Sequence, residues 1–160
     1  MVIEKEIIIK NNIENTWKVL GHDFAHPYKW ASSVNHSEGH GKQLATTQCD
    51  ERACQTVMGN IREKLTHYSD NDFHLAYIVT EGMPAMVKTA TNDWQLTNTG
   101  AEKTKLKIRM EFVFQGILGF LMQPLMKMKL NKIAREMVED FGYYAEHGKP
   151  HPRKLKAQSK

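Results

Sequence analysis

The sequence contains only two cysteines, Cys49 and Cys54. Two thiols exclude a four-cysteine zinc site and give no indication of a disulfide framework. If both lie on one strand, five residues at ~3.3 Å each place them roughly 16 Å apart, too far for a disulfide. We therefore expect two free thiols, as in a reducing compartment.

Long hydrophobic runs are also missing. The longest apolar stretch, 117–122, is far shorter than the ~20 residues of a membrane helix. Glu4 and Lys5 interrupt any apolar core of a signal peptide near the N-terminus. These absences predict a cytoplasmic protein without a membrane span.

Several catalytic and cofactor motifs are absent. The chain has no Gly-x-Gly-x-x-Gly, P-loop, Gly-x-Ser-x-Gly or Ser/His/Asp pattern, so neither a nucleotide cofactor nor serine hydrolysis is expected. Eight histidines are present, but they form no zinc-type spacing, and Pro27 follows the pair His22 and His26 directly. We expect no cofactor and no metal.

Positive charge is concentrated at the C-terminus of the 160-residue chain. The net charge is +4, but five bases and no acid follow Glu146, which leaves residues 1–146 with a net charge of −1. Residues 149–160 contain two prolines and few apolar side chains, so they predict a flexible basic tail. Such a tail is either a solubilising end or a weak anchor for anionic lipid or nucleic acid. Nucleic acid is not expected to bind the body of the protein.

The pattern of apolar residues predicts a strand, two short helices, a strand meander and a long helix. Residues 2–10 alternate as a strand with one buried face, and Asn12 can cap a helix over 13–20, followed by a second helix over 23–28. Turn residues then separate segments of period-two apolarity, which are typical of an antiparallel sheet. We place these strands near 34–38, 44–54, 60–69, 73–81, 86–97 and 105–114.

Residues 117–147 are predicted to form one amphipathic helix, bent at Pro124 or regular only beyond it. Its apolar stripe follows steps of three and four residues. The stripe consists of Met122, Met126, Leu130, Ile133, Met137, Phe141 and Tyr144.

The order of elements indicates an α+β fold in which a curved antiparallel sheet wraps around the C-terminal helix. Over residues 1–148 the chain resembles the START/Bet v 1-like (SRPBCC) superfamily, and within it the polyketide cyclase/dehydrase-type branch. The segments that carry this resemblance are Thr16-Trp17 through Asp23-Phe24, Tyr28-Lys29-Trp30, 59–68, Glu81-Gly82-Met83-Pro84 and Thr91-Asn92-Asp93-Trp94.

This resemblance implies a helix-grip fold: a single domain over 1–148, with seven antiparallel strands around the long helix and a cavity between them. It implies a monomer or homodimer that binds or transports a small hydrophobic molecule, such as a lipid, polyketide or aromatic compound. The alternative is a polyketide cyclase, aromatase or dehydratase that uses the same cavity without a cofactor. Fold analogy alone does not choose between them.

Apolar and aromatic residues on the predicted inner faces are the candidates for ligand binding. Methionine adapts to irregular shapes, and tryptophan, tyrosine and asparagine add single polar atoms. A closed core is the alternative explanation for the same residues. The candidates are Trp30, Tyr77, Asn92, Trp94, Met110, Phe112, Met122, Met126, Leu130 and Met137.

Glu63 is the most informative polar residue, because strand parity puts it on the apolar face with Ile61 and Leu65. A turn near Met58 would bring Arg52 or Cys54 opposite Glu63 within one residue of register, and Arg52 and Glu63 could then pair. The two residues are candidates for acid/base catalysis or for anchoring a ligand, but they could also form a purely structural ion pair.

Overall fold

The last strand of the chain shows how the sheet is organised. The computed structural model describes residues 1–158. In the strand β7 (Lys103–Phe114), Leu106, Ile108, Met110 and Phe112 are buried on one face, as the period-two pattern predicts. The strand β1 (Val2–Ile9) pairs with it antiparallel, so the first and last strands of the chain are neighbours in one sheet.

The remaining strands extend the sheet from β7 in reverse chain order. They are β2 (Val34–His40), β3 (Glu51–Thr56), β4 (Gly59–Ser69), β5 (His74–Glu81) and β6 (Val87–Gly100). Every neighbouring pair is antiparallel, and the order across the sheet is β1-β7-β6-β5-β4-β3-β2. The predicted α+β class and seven-stranded sheet are confirmed.

Short helical segments connect β1 to β2. Asn12 caps the helix α1 (Ile13–Trp17) by accepting a hydrogen bond from the Asn15 backbone N–H at 2.9 Å. A π-helical turn (Lys18–His22) and a 3₁₀ turn (Pro27–Lys29) follow. A Cβ at Gly21 would lie 2.5 Å from the ring of Trp17, so only glycine allows this turn to pack on the indole.

The helix α2 (Gly116–His147) packs on β1 and β7. Its buried apolar side chains are Leu130, Ala134, Val138, Phe141 and Ala145, spaced by four, four, three and four residues. Ala134 and Val138 were not in the predicted stripe, whereas Met122, Met126, Ile133, Met137 and Tyr144 are only half-buried. Small residues lie where the helix approaches the sheet closely: a Cβ at Gly142 would lie 2.6 Å from Cδ1 of Ile7.

The predicted strand over 44–54 is too long, because pairing with β2 and β4 begins only at Glu51. Residues before it form a loop in which Gly41 has a φ of 80° and the Asp50 carboxylate accepts the Lys42 N–H at 2.8 Å. Cys49 therefore lies in this loop and Cys54 on β3. Both cysteines are buried and unbridged.

The C-terminal segment differs from the predicted flexible tail. Gly148, at a φ of 66°, ends α2, and a further helix, α3 (Pro152–Gln158), folds back on the domain. Lys154 is buried and its ammonium group donates to the carbonyl of Val34, while Arg153 forms an ion pair with Asp140. The tail prediction is thus wrong for this helix, because polar pairing holds it where apolar side chains are scarce. Residues 159 and 160 of the predicted tail lie outside the described residues.

Candidate functional site

A cavity of about 130 Å³ lies between the sheet and α2. Residues 27–34 close it on one side, and β3 to β7 supply the wall opposite the helix. We call it the helix–sheet cavity. Of the residues predicted from the sequence, it is lined by Trp30, Arg52, Glu63, Tyr77, Asn92, Met110, Phe112, Leu130 and Met137.

Three predicted residues lie elsewhere. The indole ring of Trp94 is buried behind the cavity, with its centroid 6.1 Å from that of Trp30 and 5.9 Å from that of Phe141. Met122 and Met126 lie on α2 before Leu130 and do not reach the cavity. These three are therefore corrected to core or surface positions. A ligand-binding role for the residues that line the cavity remains a prediction.

Sequence reasoning missed the residues around the mouth of the cavity. The exposed Val57 and Met58 form the β3–β4 turn, and Gly82, Met83 and Pro84 begin the β5–β6 loop; all five line the cavity. The sequence identifies both segments as turns, but apolar residues at turn positions were the sole signal that they border a cavity.

Gly82 holds the β5–β6 loop against the sheet. Its φ is 87°, and a Cβ at this position would lie 2.0 Å from the backbone oxygen of Asn60. Glycine is therefore required both by the backbone conformation and by the close approach of two chain segments.

Arg52 and Glu63 form the polar end of the helix–sheet cavity. They are direct partners in the β3–β4 register, and Nε of Arg52 donates to Oε2 of Glu63 at 2.6 Å. Nη1 of Arg52 also donates to the carbonyl of Phe24 at 2.8 Å. The predicted ion pair is present, and both residues are buried.

Aromatic rings enclose the guanidinium group of Arg52. Its central carbon lies 4.2 Å from the ring centroid of Phe24 and 4.7 Å from that of Tyr77. Burial alone would lower the pKa of Arg52, but the charge and hydrogen bond of Glu63, together with Tyr77 and Cys54, outweigh it and raise the pKa above its ordinary value. Arg52 is thus a fixed cation, and cation–π contacts add to its ion pair.

Cys54 and Tyr77 stay protonated at neutral pH. Burial raises the pKa of the Cys54 thiol to about 12, and its Sγ donates to Oε2 of Glu63 at 3.6 Å. Burial also raises the pKa of Tyr77. A protonated, buried thiol is not a nucleophile, so Cys54 is not a candidate for covalent catalysis.

Asn92 places an unsatisfied polar atom in the cavity wall. Asn92 is 6% exposed, and its side-chain oxygen Oδ1 has no hydrogen-bond partner within residues 1–158. The same is true of the indole N–H of Trp94, which lowers the pKa of Tyr77 without completing a well-aligned hydrogen bond. A buried polar atom without a partner costs about 1–3 kcal/mol, and a bound ligand that supplied one would remove this cost.

No metal cluster is evident in the described part of the chain: residues 1–158 contain no group of three or more potential ligands. None of the helices over the same residues has the length and apolarity to cross a membrane.

Known structures share this fold at low sequence identity. The Zhui aromatase/cyclase of Streptomyces sp. R1128 superposes with a TM-score of 0.74 and 15% identity, over 91% of this chain and 93% of that one. A START superfamily protein from Mycobacterium smegmatis gives 0.67 and 12%, over 92% and 94%. The major latex-like protein 151 of Panax ginseng gives 0.67 and 10%, over 91% and 97%. These likenesses establish the helix-grip fold alone.

The family is shown by the sequence itself. No curated protein is significantly similar in sequence. The profile of the family described as "Polyketide cyclase / dehydrase and lipid transport" matches residues 1–146, nearly the whole domain around the cavity. The chain therefore belongs to the polyketide cyclase/dehydrase and lipid transport family.

Proposed function

We propose that the chain is a carrier that binds a small hydrophobic molecule in the helix–sheet cavity. The observation that carries this proposal is the state of the carboxylate in the cavity wall. Oε2 of Glu63 is already engaged by the Arg52 guanidinium and the Cys54 thiol. Because these groups satisfy one another, the arrangement suits a passive wall better than proton transfer.

The size of the cavity limits the ligand. An apolar protein cavity of about 150 Å³ accommodates benzene, so a volume of about 130 Å³ is suited to a molecule with one small ring. Binding sites for larger molecules have roughly 300–1,000 Å³. A lipid or polyketide would therefore require the walls to move.

Methionine side chains allow such movement at a low cost in free energy. Met110 and Met137 line the interior, and Met58 and Met83 lie at the mouth. Unbranched thioether side chains change rotamer with little loss of packing. A family of related apolar ligands is thus compatible with one cavity.

The polar groups of the cavity favour a ligand with one hydrogen-bond donor. The rings of Trp30, Tyr77 and Phe112 supply flat apolar surface, and the Asn92 amide oxygen lacks a donor. A phenol combines a ring of the right size with a hydroxyl group. We therefore place the ligand in the class of hydroxylated aromatic compounds.

Two measurements test the proposal. Native mass spectrometry of freshly purified protein should detect a retained small molecule. Titration with phenol and with toluene, followed by heteronuclear NMR, should give saturable shifts at cavity residues, with phenol the tighter ligand. The proposal fails if no molecule is retained and neither probe perturbs the cavity.

A cyclase, aromatase or dehydratase is the second candidate. The observation in its favour is that Glu63 lines the cavity while both of its side-chain contacts use Oε2, and that Cys54 and Tyr77 are protonated donors nearby. A carboxylate and a phenol are suitable groups for moving protons during a dehydration. Loss of turnover of a polyketide substrate in Glu63→Gln, with stability retained, would favour this candidate.

A further inference from the structure

The first half of α2 presents large apolar side chains to solvent. Ile117 is 84% exposed and Phe120 is 72% exposed. Monomeric soluble proteins rarely expose a contiguous group of this kind without an interaction that uses it. The group, here named the outer apolar face, consists of Ile117, Leu118, Phe120, Leu121, Leu125 and Met128.

The opposite side of the same helical segment has no charged side chain and packs against the domain. A Cβ at Gly119 would lie 3.0 Å from the backbone oxygen of Met86 and 3.4 Å from Cβ of Phe114. Residues 116–126 include no charged side chain. A helix that is apolar all round is typical of one covered on both sides, yet within residues 1–158 only one side of this segment is covered.

The charged residues on α2 up to Arg135 are all basic, and the next acids, Glu136 and Glu139, form ion pairs with Lys132 and Arg135. Residues 112–135 include four bases, Lys127, Lys129, Lys132 and Arg135, and no acid. Lys127 and Lys129 have no ion pair within the described residues. Lys5 joins Lys127, Lys132 and Arg135 in a surface groove that also borders Met128.

A second copy of the chain is a poor occupant of this face. A two-fold contact would bring the same basic groups towards each other with no acid from this segment to oppose them. Nucleic acid is disfavoured because the centre of the face is apolar. A bilayer with anionic headgroups supplies both an apolar interior for the side chains and phosphates for the lysines.

We propose that the outer apolar face docks on the surface of an anionic phospholipid bilayer, with its side chains inserted at the headgroup boundary and Lys127 and Lys129 in contact with phosphates. The face is connected to the mouth of the helix–sheet cavity. The Gln115 backbone N–H donates to the Met86 carbonyl at 2.9 Å, and its side-chain amide donates to the Ala85 carbonyl at 2.7 Å. Docking does not depend on whether the cavity holds a ligand.

Vesicle co-sedimentation of the full chain tests this proposal. We expect binding to vesicles of phosphatidylcholine mixed with phosphatidylglycerol, weaker binding to phosphatidylcholine alone, and release by salt. The double variant Phe120→Ser/Leu121→Ser should lose roughly tenfold or more in affinity. Lys127→Gln/Lys129→Gln should weaken binding to the mixed vesicles alone. Ile8→Ser, at an apolar position on β1 that is 54% exposed, is the matched control and should bind normally.

Three outcomes would overturn the proposal. They are the absence of binding to mixed vesicles, binding that survives both double variants, and sedimentation velocity showing a dimer that Phe120→Ser/Leu121→Ser dissociates. The last result would assign the face to a second copy. The lysine variant alters exposed side chains, so it keeps the test valid even if the serine variant fails to fold.

Discussion

The guanidinium of Arg153 donates to Oδ1 of the fully buried Asp140 at 2.9 Å, and this ion pair attaches α3 to the C-terminal part of α2. The second carboxylate oxygen accepts the backbone N–H of Ser32 at 2.8 Å. One carboxylate thus joins three parts of the chain beside the residues that close the cavity.

Arg153→Gln should therefore destabilise the protein. The change leaves Asp140 buried without its main cation, and we expect a loss of about 1–3 kcal/mol, less than for a fully buried pair because Arg153 is partly exposed. Urea unfolding gives the value, with Lys149→Gln as the control. Equal stability of the two variants would show that α3 contributes nothing through this pair.

Removing the charge of Glu63 tests the polar end of the cavity. Glu63→Gln keeps the shape but leaves the buried Arg52 without a counter-charge, so we expect a loss of about 1–4 kcal/mol in unfolding free energy. Glu51→Gln is the control. Its partner Lys64 is exposed, so we expect their ion pair to contribute little to the free energy of unfolding. An unchanged melting temperature in Glu63→Gln would contradict the structural role that supports the carrier function.

Asn92→Leu should separate stability from ligand preference. The change removes an amide oxygen that has no partner, so we expect unchanged or higher stability, by up to about 2 kcal/mol. At the same time the variant should bind phenol no better than toluene, because the acceptor for the hydroxyl is gone. A retained preference for phenol, measured by NMR titration, would place the ligand contact elsewhere.

Cys54 predicts a loss of stability in alkali. Its pKa is raised from an ordinary value of 9.0 to about 12, so above about pH 9 the unfolded chain releases a proton that the folded chain retains. Unfolding therefore becomes easier as pH rises through this range, by up to about 1.4 kcal/mol per pH unit. Urea unfolding at several pH values should show that Cys54→Ala lacks this part of the slope. Parallel slopes in both proteins would mean that the thiol titrates normally.

Gly82→Ala should damage the mouth of the cavity. The new Cβ would meet the Asn60 backbone oxygen, and the positive φ adds about 1–2 kcal/mol for any residue with a side chain. Gly59→Ala is the matched control, since Gly59 also has a positive φ but a Cβ there meets nothing within 4 Å. Thermal unfolding should show the larger loss for Gly82→Ala. A similar loss in both would leave backbone conformation as the whole effect.

Local patterns were nearly sufficient to predict the Arg52–Glu63 pair. Alternation predicted the face of Glu63, and the short turn between β3 and β4 limited its partner to Arg52 or Cys54; the register of the structure selects Arg52. Trp94 has the same alternation as Asn92, but its ring packs against Trp30 and Phe141 and does not line the cavity. Their positions depend on packing between distant segments, which strand parity does not describe.

The C-terminal helix shows a different limit. Lys154 is buried because its ammonium group reaches the Val34 carbonyl, 120 positions earlier in the chain. The composition of α3 indicates a solvated terminus. The partner that buries Lys154 is a backbone carbonyl far away in the sequence, so no local pattern predicts the contact. The prediction that Met122 and Met126 bind a ligand was wrong for a related reason. Both follow the apolar spacing of the helix, but the cavity extends along α2 only from Leu130 to Met137.

Pro124 lies in the first third of α2, before Leu130, the first residue of the helix that lines the cavity. It has no N–H to donate to the carbonyl of Phe120, so one rung of the helical hydrogen-bond ladder is missing at this turn. The second half is fixed by Gly142 against β1, while the first half contacts the domain through Gly119 and Gln115. When the segment before Pro124 is displaced, we therefore expect the helix to bend at residues 120–124. The packing of the rest of α2 against the sheet would then stay unchanged.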